Sequence, residues 1–408
     1  MPSILILAAG PLCRNPRVLK EATALGEAGF HVTVTSIANI ERFEEYDREL
    51  LRGAPFSRIA VDRLSRRPLD RLVALAERGV SWLACRAVRI GIESPLSLGP
   101  YYALRRLALR THADLTIVHA ELPFLVGASL IARGRRVAAD FEDWHSRDLL
   151  PASRLTRPLR LLAKTEGMLL RQGAYTSAPS EAMASALQAA YGGSRPLVIP
   201  NTFPLQPAPR PLPRKTPPAF FWFSQTIGEG RGLEAFLSAW ALTREPSQVC
   251  LLGDISDSFR QVLVGLVPEE RRARLKFLPI TSPGALPAVI AEHDIGLALE
   301  PEYPESRYLT TTNKIFQYLN AGLAVVATPT AGQREVISRV PGCGIEADLS
   351  SPGPMAAQLD ALLATPGRLA SMGAAARDGA VHHFCWERSA PQLVAGVRHA
   401  LQAAGAKR

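Results

Sequence analysis

The stretch Thr310 to Thr328, T-T-T-N-K-I-F-Q-Y-L-N-A-G-L-A-V-V-A-T, decides the fold. It reads as a polar loop, a helix opened by threonines, a glycine stop at Gly322 and a buried strand, the order in which α/β proteins present a helix N-terminus to phosphate. A matching loop lies upstream. There Phe220 to Ser224 (F-F-W-F-S) is an apolar strand that runs into Gln225 to Glu234 (Q-T-I-G-E-G-R-G-L-E), a glycine-rich turn carrying Arg231 to the start of the next helix. Two such loops in one half of a chain suggest a clamp for a nucleoside diphosphate.

Working outward, short apolar runs alternate with helical patterns nearly throughout, which predicts parallel sheets covered by helices. Strands are expected at Ile4 to Ala8, His31 to Ser36, Arg58 to Arg63, Leu115 to His119, Arg136 to Phe141, Tyr175 to Ala178 and Leu197 to Pro200. After an interruption they resume at Phe220 to Ser224, Gln248 to Leu252, Leu275 to Leu278, Ile295 to Leu299, Leu323 to Thr328 and Gly344 to Ala347. The interruption, Phe203 to Ala219, is too rich in proline for a helix or a central strand and reads as a linker. The expected division is 1–203, a linker at 204–219, a second domain at 220–385 and a last helix at 386–408. The fold class is α/β, with two doubly wound Rossmann-like domains and a ligand at the carboxyl ends of their sheets.

At 408 residues the chain is long for one core, and an apolar share of 47% makes it globular. The net charge of +10 is uneven, with 27 basic and 19 acidic residues up to position 203 against 20 and 18 beyond it. From Arg66 to Arg110 nine arginines face three acids, Asp70, Glu77 and Glu93. Such density suits an anionic membrane surface, and Val80 to Ile90 (V-S-W-L-A-C-R-A-V-R-I) mixes apolar and basic residues as interfacial helices do. A solvated arginine-rich face is the alternative; nucleic acid is not expected, because no binding module accompanies the charge. The five scattered cysteines form no C-x-x-C pair, so neither a disulfide framework nor a zinc site is indicated. The chain goes directly from Met1-Pro2-Ser3 into an apolar strand, and no apolar run approaches the roughly 20 residues of a membrane span. The expected location is the cytoplasm, peripheral at the inner face of the membrane.

The order of motifs resembles the two-Rossmann-domain (GT-B) glycosyltransferases, most closely the retaining enzymes of family 4. The likeness rests on Asn15 to Ala22 (N-P-R-V-L-K-E-A), Gly29 to Val34, Ile117 to Pro123, Asp140 to Asp143 (D-F-E-D) and Val198 to Asn201. In the second half it rests on Gly230 to Glu234 (G-R-G-L-E), Asn313 to Gly322 and Phe384 to Glu387. The resemblance implies transfer of a sugar from a nucleotide-sugar donor held by the second domain to a lipid-linked or saccharide acceptor presented by the first, as in bacterial polysaccharide or glycolipid synthesis. The nucleotide-sugar is then a co-substrate, and no cofactor is implied. Of the family's basic pair that grips the diphosphate, Arg231 matches the second member, while the first falls on Gln225. Two glutamates of the family pattern fall on Leu309 and Gln317, and Gln317 keeps hydrogen-bonding capacity toward a ribose. Glu300, Glu302 and Glu305 are nearby acids among which the sequence does not choose.

Chemically, a departing diphosphate gathers negative charge, which Arg231, Lys314 and helix N-terminal amides at Thr311, Thr312 and Asn313 would stabilise. For retention the resemblance implies front-face attack without a carboxylate nucleophile. Inversion needs a base from the first domain, for which His119, Glu121, Glu142, Asp143 and His145 are the candidates. Gly10, Asn15 and Arg17 are candidates for an acceptor or phosphate loop. Plainer roles stand beside each: a turn glycine at Gly10, a helix cap at Asn15, an interior histidine at His119, a helix-start acid at Glu121 and threonine caps at the later helix. No metal is called, although D-F-E-D-W-H, Asp140 to His145, groups ligand-type side chains. Rival classes are a nicotinamide oxidoreductase, suggested by Gly228 to Gly232 (G-E-G-R-G) and Asp254 but missing a glycine at Leu233, a nucleotide-sugar epimerase, and a non-catalytic scaffold.

Overall fold

The computed structural model describes residues 1–62, 64, 67–207 and 217–402. Arg63 and Arg66, the middle of the proline-rich segment and the last residues of the chain therefore lie outside the described residues. The chain forms two compact units, one of Met1–Ile199 with Pro304–Ser306 and Ala390–Arg408, the other of Pro200–Tyr303 with Arg307–Ser389. Most of the final helix, Trp386–Gln402, is thus counted with the first unit rather than standing alone.

In the first unit seven strands form one parallel sheet: β1 (Ser3–Leu7), β2 (His31–Ala38), β3 (Ser57–Asp62), β4 (Leu115–His119), β5 (Val137–Asp140), β6 (Thr176–Ala178) and β7 (Leu197–Val198). Their order is β3-β2-β1-β4-β5-β6-β7. Ile4 to Leu7 and the whole of β4 are buried, as expected of strands covered on both faces.

The second unit repeats the plan with β8 (Ala219–Ile227), β9 (Gln248–Ile255), β10 (Leu275–Leu278), β11 (Ile295–Ala298), β12 (Ala324–Ala327) and β13 (Gly344–Glu346), ordered β10-β9-β8-β11-β12-β13 and again parallel. The period of two along β8 builds two core layers: Phe220 and Trp222 join Leu233, Phe236 and Trp240, while Phe221 and Phe223 join Ile315, Tyr318 and Leu319. β8 is longer than its apolar run. An irregularity in its pairing between Phe223 and Thr226 carries it to Ile227, so Gln225 sits on the strand and not in the turn.

In both sheets the order runs outward in two directions from one central pair, β1 and β4 in the first and β8 and β11 in the second. At such a reversal the loops leaving the two strands part to opposite faces, and the crevice at their carboxyl ends is where doubly wound folds bind ligands. The side chains that matter are therefore those just beyond Leu7, His119, Ile227 and Ala298. No helix of the described residues is long and apolar enough to cross a membrane.

Candidate functional site

In the second unit the helix Asn313–Ala321 starts at Thr312, whose extended backbone suits a cap but whose hydroxyl does not cap the first turn. The helix Ala331–Arg339, entered from β12, likewise starts at Thr330 without a side-chain cap. Both sets of N-terminal amides therefore lack the usual partner. The two starts are packed together: Thr311 donates its hydroxyl to the carbonyl of Gly332 at 2.8 Å, and a Cβ at Gly332 would fall 2.5 Å from the carbonyl oxygen of Leu309. Only glycine allows that approach. Around this junction the hydroxyls of Thr310 and Thr330 and Oε1 of Gln333 are buried without a protein partner.

Lys314 is buried in the first turn, with Nζ 3.3 Å from Glu300 Oε1, 3.5 Å from Thr312 Oγ1 and 5.2 Å above the Trp222 ring. Burial lowers its pKa, Glu300 opposes that, and Arg231 and Arg307 push it down further. Arg307 donates to the carbonyl of Gly230 at 2.8 Å, so the loop bearing Arg231 is tied to this corner. Glu300 is held from its backbone, its N–H donating to Thr328 Oγ1 at 2.9 Å while the Thr328 hydroxyl donates to its carbonyl at 2.7 Å. Gln333 Nε2 also donates to Thr328 Oγ1, at 2.7 Å. Lys314 thus pairs with Glu300 at the carboxyl ends of β8 and β11 and lies within the electrostatic reach of Arg231 and Arg307.

Of the sequence candidates, Arg231, Thr311, Thr312 and Lys314 come together here, and Asn313 and Gln317 are half-exposed on the same helix. Gln225 is exposed on β8. Among the three acids left open, Glu300 is the one that meets Lys314, whereas Glu302 is exposed and Glu305 pairs with Arg147 at 2.8 Å. Leu309 is buried, as an apolar side chain at that place requires. Arg307, Thr328, Thr330 and Gln333 were not singled out from sequence. The T-P-T-A-G-Q run after β12, a second strand-to-helix junction with its own threonine and glycine, was the signal available for the last three.

The first unit shows a different chemistry at the matching place. His119, fully buried at the end of β4, has Nε2 2.5 Å from Glu21 Oε2 and Nδ1 2.9 Å from Glu142 Oε1 and 3.3 Å from Asp140 Oδ2. Burial disfavours the imidazolium, but Glu21, Glu142 and Asp140 outweigh it and raise the pKa to about 10. His119 is therefore held as a cation donating from both nitrogens and is not a free base. Arg17 is also buried, its guanidinium gripping both oxygens of Asp140 and donating to the carbonyl of Ile199 at 2.9 Å. Burial alone would raise the Asp140 carboxyl, yet Arg17 and His119, with a 2.7 Å bond from Ser177, hold it low. Asn15 accepts from Val18 N at 3.1 Å and caps the helix Pro16–Glu27, the plainer of the two roles the sequence offered it.

Glu21, His119 and Asp140 bring ligand-type atoms within 4.8 Å of one another, but Arg17 and the two His119 contacts already use those donors, and no metal is assigned. The rest of the D-F-E-D-W-H segment is anchored. Trp144 Nε1 donates to the Tyr191 hydroxyl at 3.0 Å, and Ser146 and Tyr191 both bond Glu166. Asp143 is half-buried and has a partner. His145 is buried edge-on against Phe124 with Nε2 unpartnered, and burial lowers its pKa to about 4. Gly10, at φ +99°, has open space where a Cβ would stand. Ala120 has φ +70° and ψ 171°, the sole positive φ outside glycine among the described residues. This glycine-only conformation turns the chain between His119 and Glu121. Glu121 begins the next helix, pairs with Arg157 at 3.0 Å, and has its pKa raised by burial.

Both units are doubly wound in the Rossmann manner, and comparison with solved structures shows the fold to be of the GT-B type. No protein-family profile and no curated protein matches the sequence. The fold is similar to that of HepE from Anabaena, solved in complex with UDP-glucose, at a TM-score of 0.68 and 16% identity over 98% of this chain and 100% of that one. It is similar to sucrose-phosphate synthase from Thermosynechococcus elongatus at a TM-score of 0.69 and 15% identity, covering 99% and 100% of the two chains. A protein assigned as a UDP-N-acetylglucosamine 2-epimerase from Listeria monocytogenes is similar at a TM-score of 0.57 and 12% identity, over 97% and 95%.

Proposed function

We propose that this protein is a nucleotide-sugar glycosyltransferase, retaining in the manner of family 4, with the donor diphosphate held by the second unit. The observation that carries the reading is the corner where Lys314 pairs with Glu300 within reach of the positive charges of Arg231 and Arg307, beside two helix starts without side-chain caps. Positive charge beside helix starts that no side chain caps suits a group that arrives anionic and gathers more charge as it leaves. Losing one such contact costs about 2.7 to 4 kcal/mol in catalysis. Gln317, one turn beyond Asn313, is the residue assigned to the ribose. A lipid-linked or saccharide acceptor, used in polysaccharide or glycolipid synthesis on the cytoplasmic side of a membrane, completes the reading.

The test is calorimetric titration of wild-type protein and Arg231→Ala with UDP, GDP, ADP and TDP and their sugar conjugates, UDP first because HepE is solved with it. One nucleoside diphosphate should bind and lose about tenfold or more in affinity in the variant. No binding by any of them sinks the donor site and favours a non-catalytic scaffold. The second reading, epimerisation of the nucleotide-sugar, has the Listeria fold relative in its favour. It needs no acceptor: conversion of the donor sugar in an acceptor-free reaction would select it, and release of nucleoside diphosphate only when acceptor is present would select transfer.

A further inference from the structure

The helix Pro68–Val88 has no buried residue along its 21 positions. Of its seven half-buried residues, Ala74, Glu77, Ser81, Ala84, Cys85 and Val88 recur at helical spacing and form one stripe, and Ala87 lies to one side of it. Cys85 Sγ on that stripe lies 3.3 Å from the carbonyl of Ser97, which identifies the stripe as the side turned toward the protein. At 3.6 residues per turn the opposite side carries Leu72, Leu75, Gly79, Trp82, Leu83 and Arg86. Leu72, Leu75, Trp82 and Leu83 are each more than half exposed, at 63%, 64%, 54% and 60%. Arg71, Arg78 and Arg89 flank them and are exposed, and the Arg86 guanidinium stacks 3.8 Å over the Trp82 ring. Both acids of the helix, Asp70 and Glu77, lie on or beside the inward stripe, so the outward face holds apolar side chains and arginines and no carboxylate.

We propose that this face is a docking surface for an anionic lipid bilayer, on which the helix lies in the plane of the interface. Apolar side chains enter the headgroup boundary, and arginines whose stems lie along the same face reach the phosphates. A second copy of this chain fits less well, because a two-fold contact through this face would set arginines against arginines with no acid between them. The proposal goes beyond the transferase reading and does not depend on it. Of the nine arginines between 66 and 110, those on this helix carry the surface; Arg105 is engaged by Ser129 at 2.7 Å, and Arg66 lies outside the described residues.

The experiment is flotation of the full chain with vesicles of phosphatidylcholine alone and of phosphatidylcholine and phosphatidylglycerol in equal parts. The protein should float with the anionic vesicles only, release as salt is raised, and shift its tryptophan emission to the blue. Arg71→Gln and Arg78→Gln should each weaken binding about fivefold. Leu72→Glu/Leu83→Glu should abolish it while nucleotide titration and circular dichroism stay as in wild type, and Trp82→Phe should remove the emission shift. Absence from both vesicle types, or full binding by Leu72→Glu/Leu83→Glu, overturns the proposal. A wild-type dimer in light scattering that this double variant dissociates, without vesicle binding, reassigns the face to a second copy.

Discussion

Lys314 and Glu300 form a buried ion pair, Nζ to Oε1 3.3 Å, that joins the end of one central strand to the first turn of the helix Asn313–Ala321. Both groups are buried, so each depends on the other, while the nearby charges of Arg231 and Arg307 act against the lysine's own.

Glu300→Gln should destabilise the second unit by about 3 to 5 kcal/mol, because it leaves a buried cation beside two others. The double variant Glu300→Gln/Lys314→Met removes the stranded charge and should recover most of that loss. Urea unfolding of the two variants checks the order; equal losses would mean that the pair is not the unit of stability.

Gly332→Ala places a methyl 2.5 Å from the backbone of Leu309 and Thr310. Backbone cannot rotate away as a side chain can, so the two helix starts should separate, at a cost of about 1 to 3 kcal/mol. Nucleoside diphosphate affinity should fall with it. An unchanged affinity in calorimetry would show that the packing of these two helix starts is irrelevant to binding.

His145 has its pKa lowered from 6.5 to about 4 by burial, with Glu142 and Asp140 opposing and Arg157 and His119 adding to the shift. Between those pH values the unfolded chain binds the proton and the folded chain does not, so folding stability is full above about pH 6.5 and falls as the pH drops toward 4. At about 1.36 kcal/mol per unit the loss is on the order of 3 kcal/mol. His145→Asn should flatten that limb of the stability profile while leaving stability near neutral pH close to wild type; a parallel profile in both proteins would contradict the assignment.

Ala120 occupies a backbone region that glycine tolerates and alanine does not. Ala120→Gly should therefore stabilise the first unit by about 1 kcal/mol, strain relief exceeding the added entropy of the unfolded chain. If turnover falls while stability rises, the strained turn positions Glu121 for function; if thermal unfolding shows a loss of stability, the strain is not present in solution.

The alternation of apolar runs and helical patterns made the class and all thirteen strands legible, because burial on both faces of a parallel sheet imposes a local composition that each strand must meet by itself. The extension of β8 past Ser224 was not legible. It depends on a pairing irregularity with β9, which has no signature in the polar run Gln225-Thr226.

Within the candidate site the two strand-to-helix loops were visible as glycines and threonines beside cations. The choice of Glu300 over Glu302 and Glu305 was not visible, since three acids within six positions are equivalent until the loop is folded. The partners of His119 were hidden for the same reason. Its place at a strand end was local information, but its role depends on Glu21, from the helix Pro16–Glu27, and on Asp140 and Glu142, from the end of β5, which are two other stretches of chain. The sequence by itself determined the layers, the order of the elements and the residues that reach the carboxyl edges of the sheets. Only the tertiary structure decided which charges meet, because an ion pair depends on distance in space, and local patterns carry no record of it.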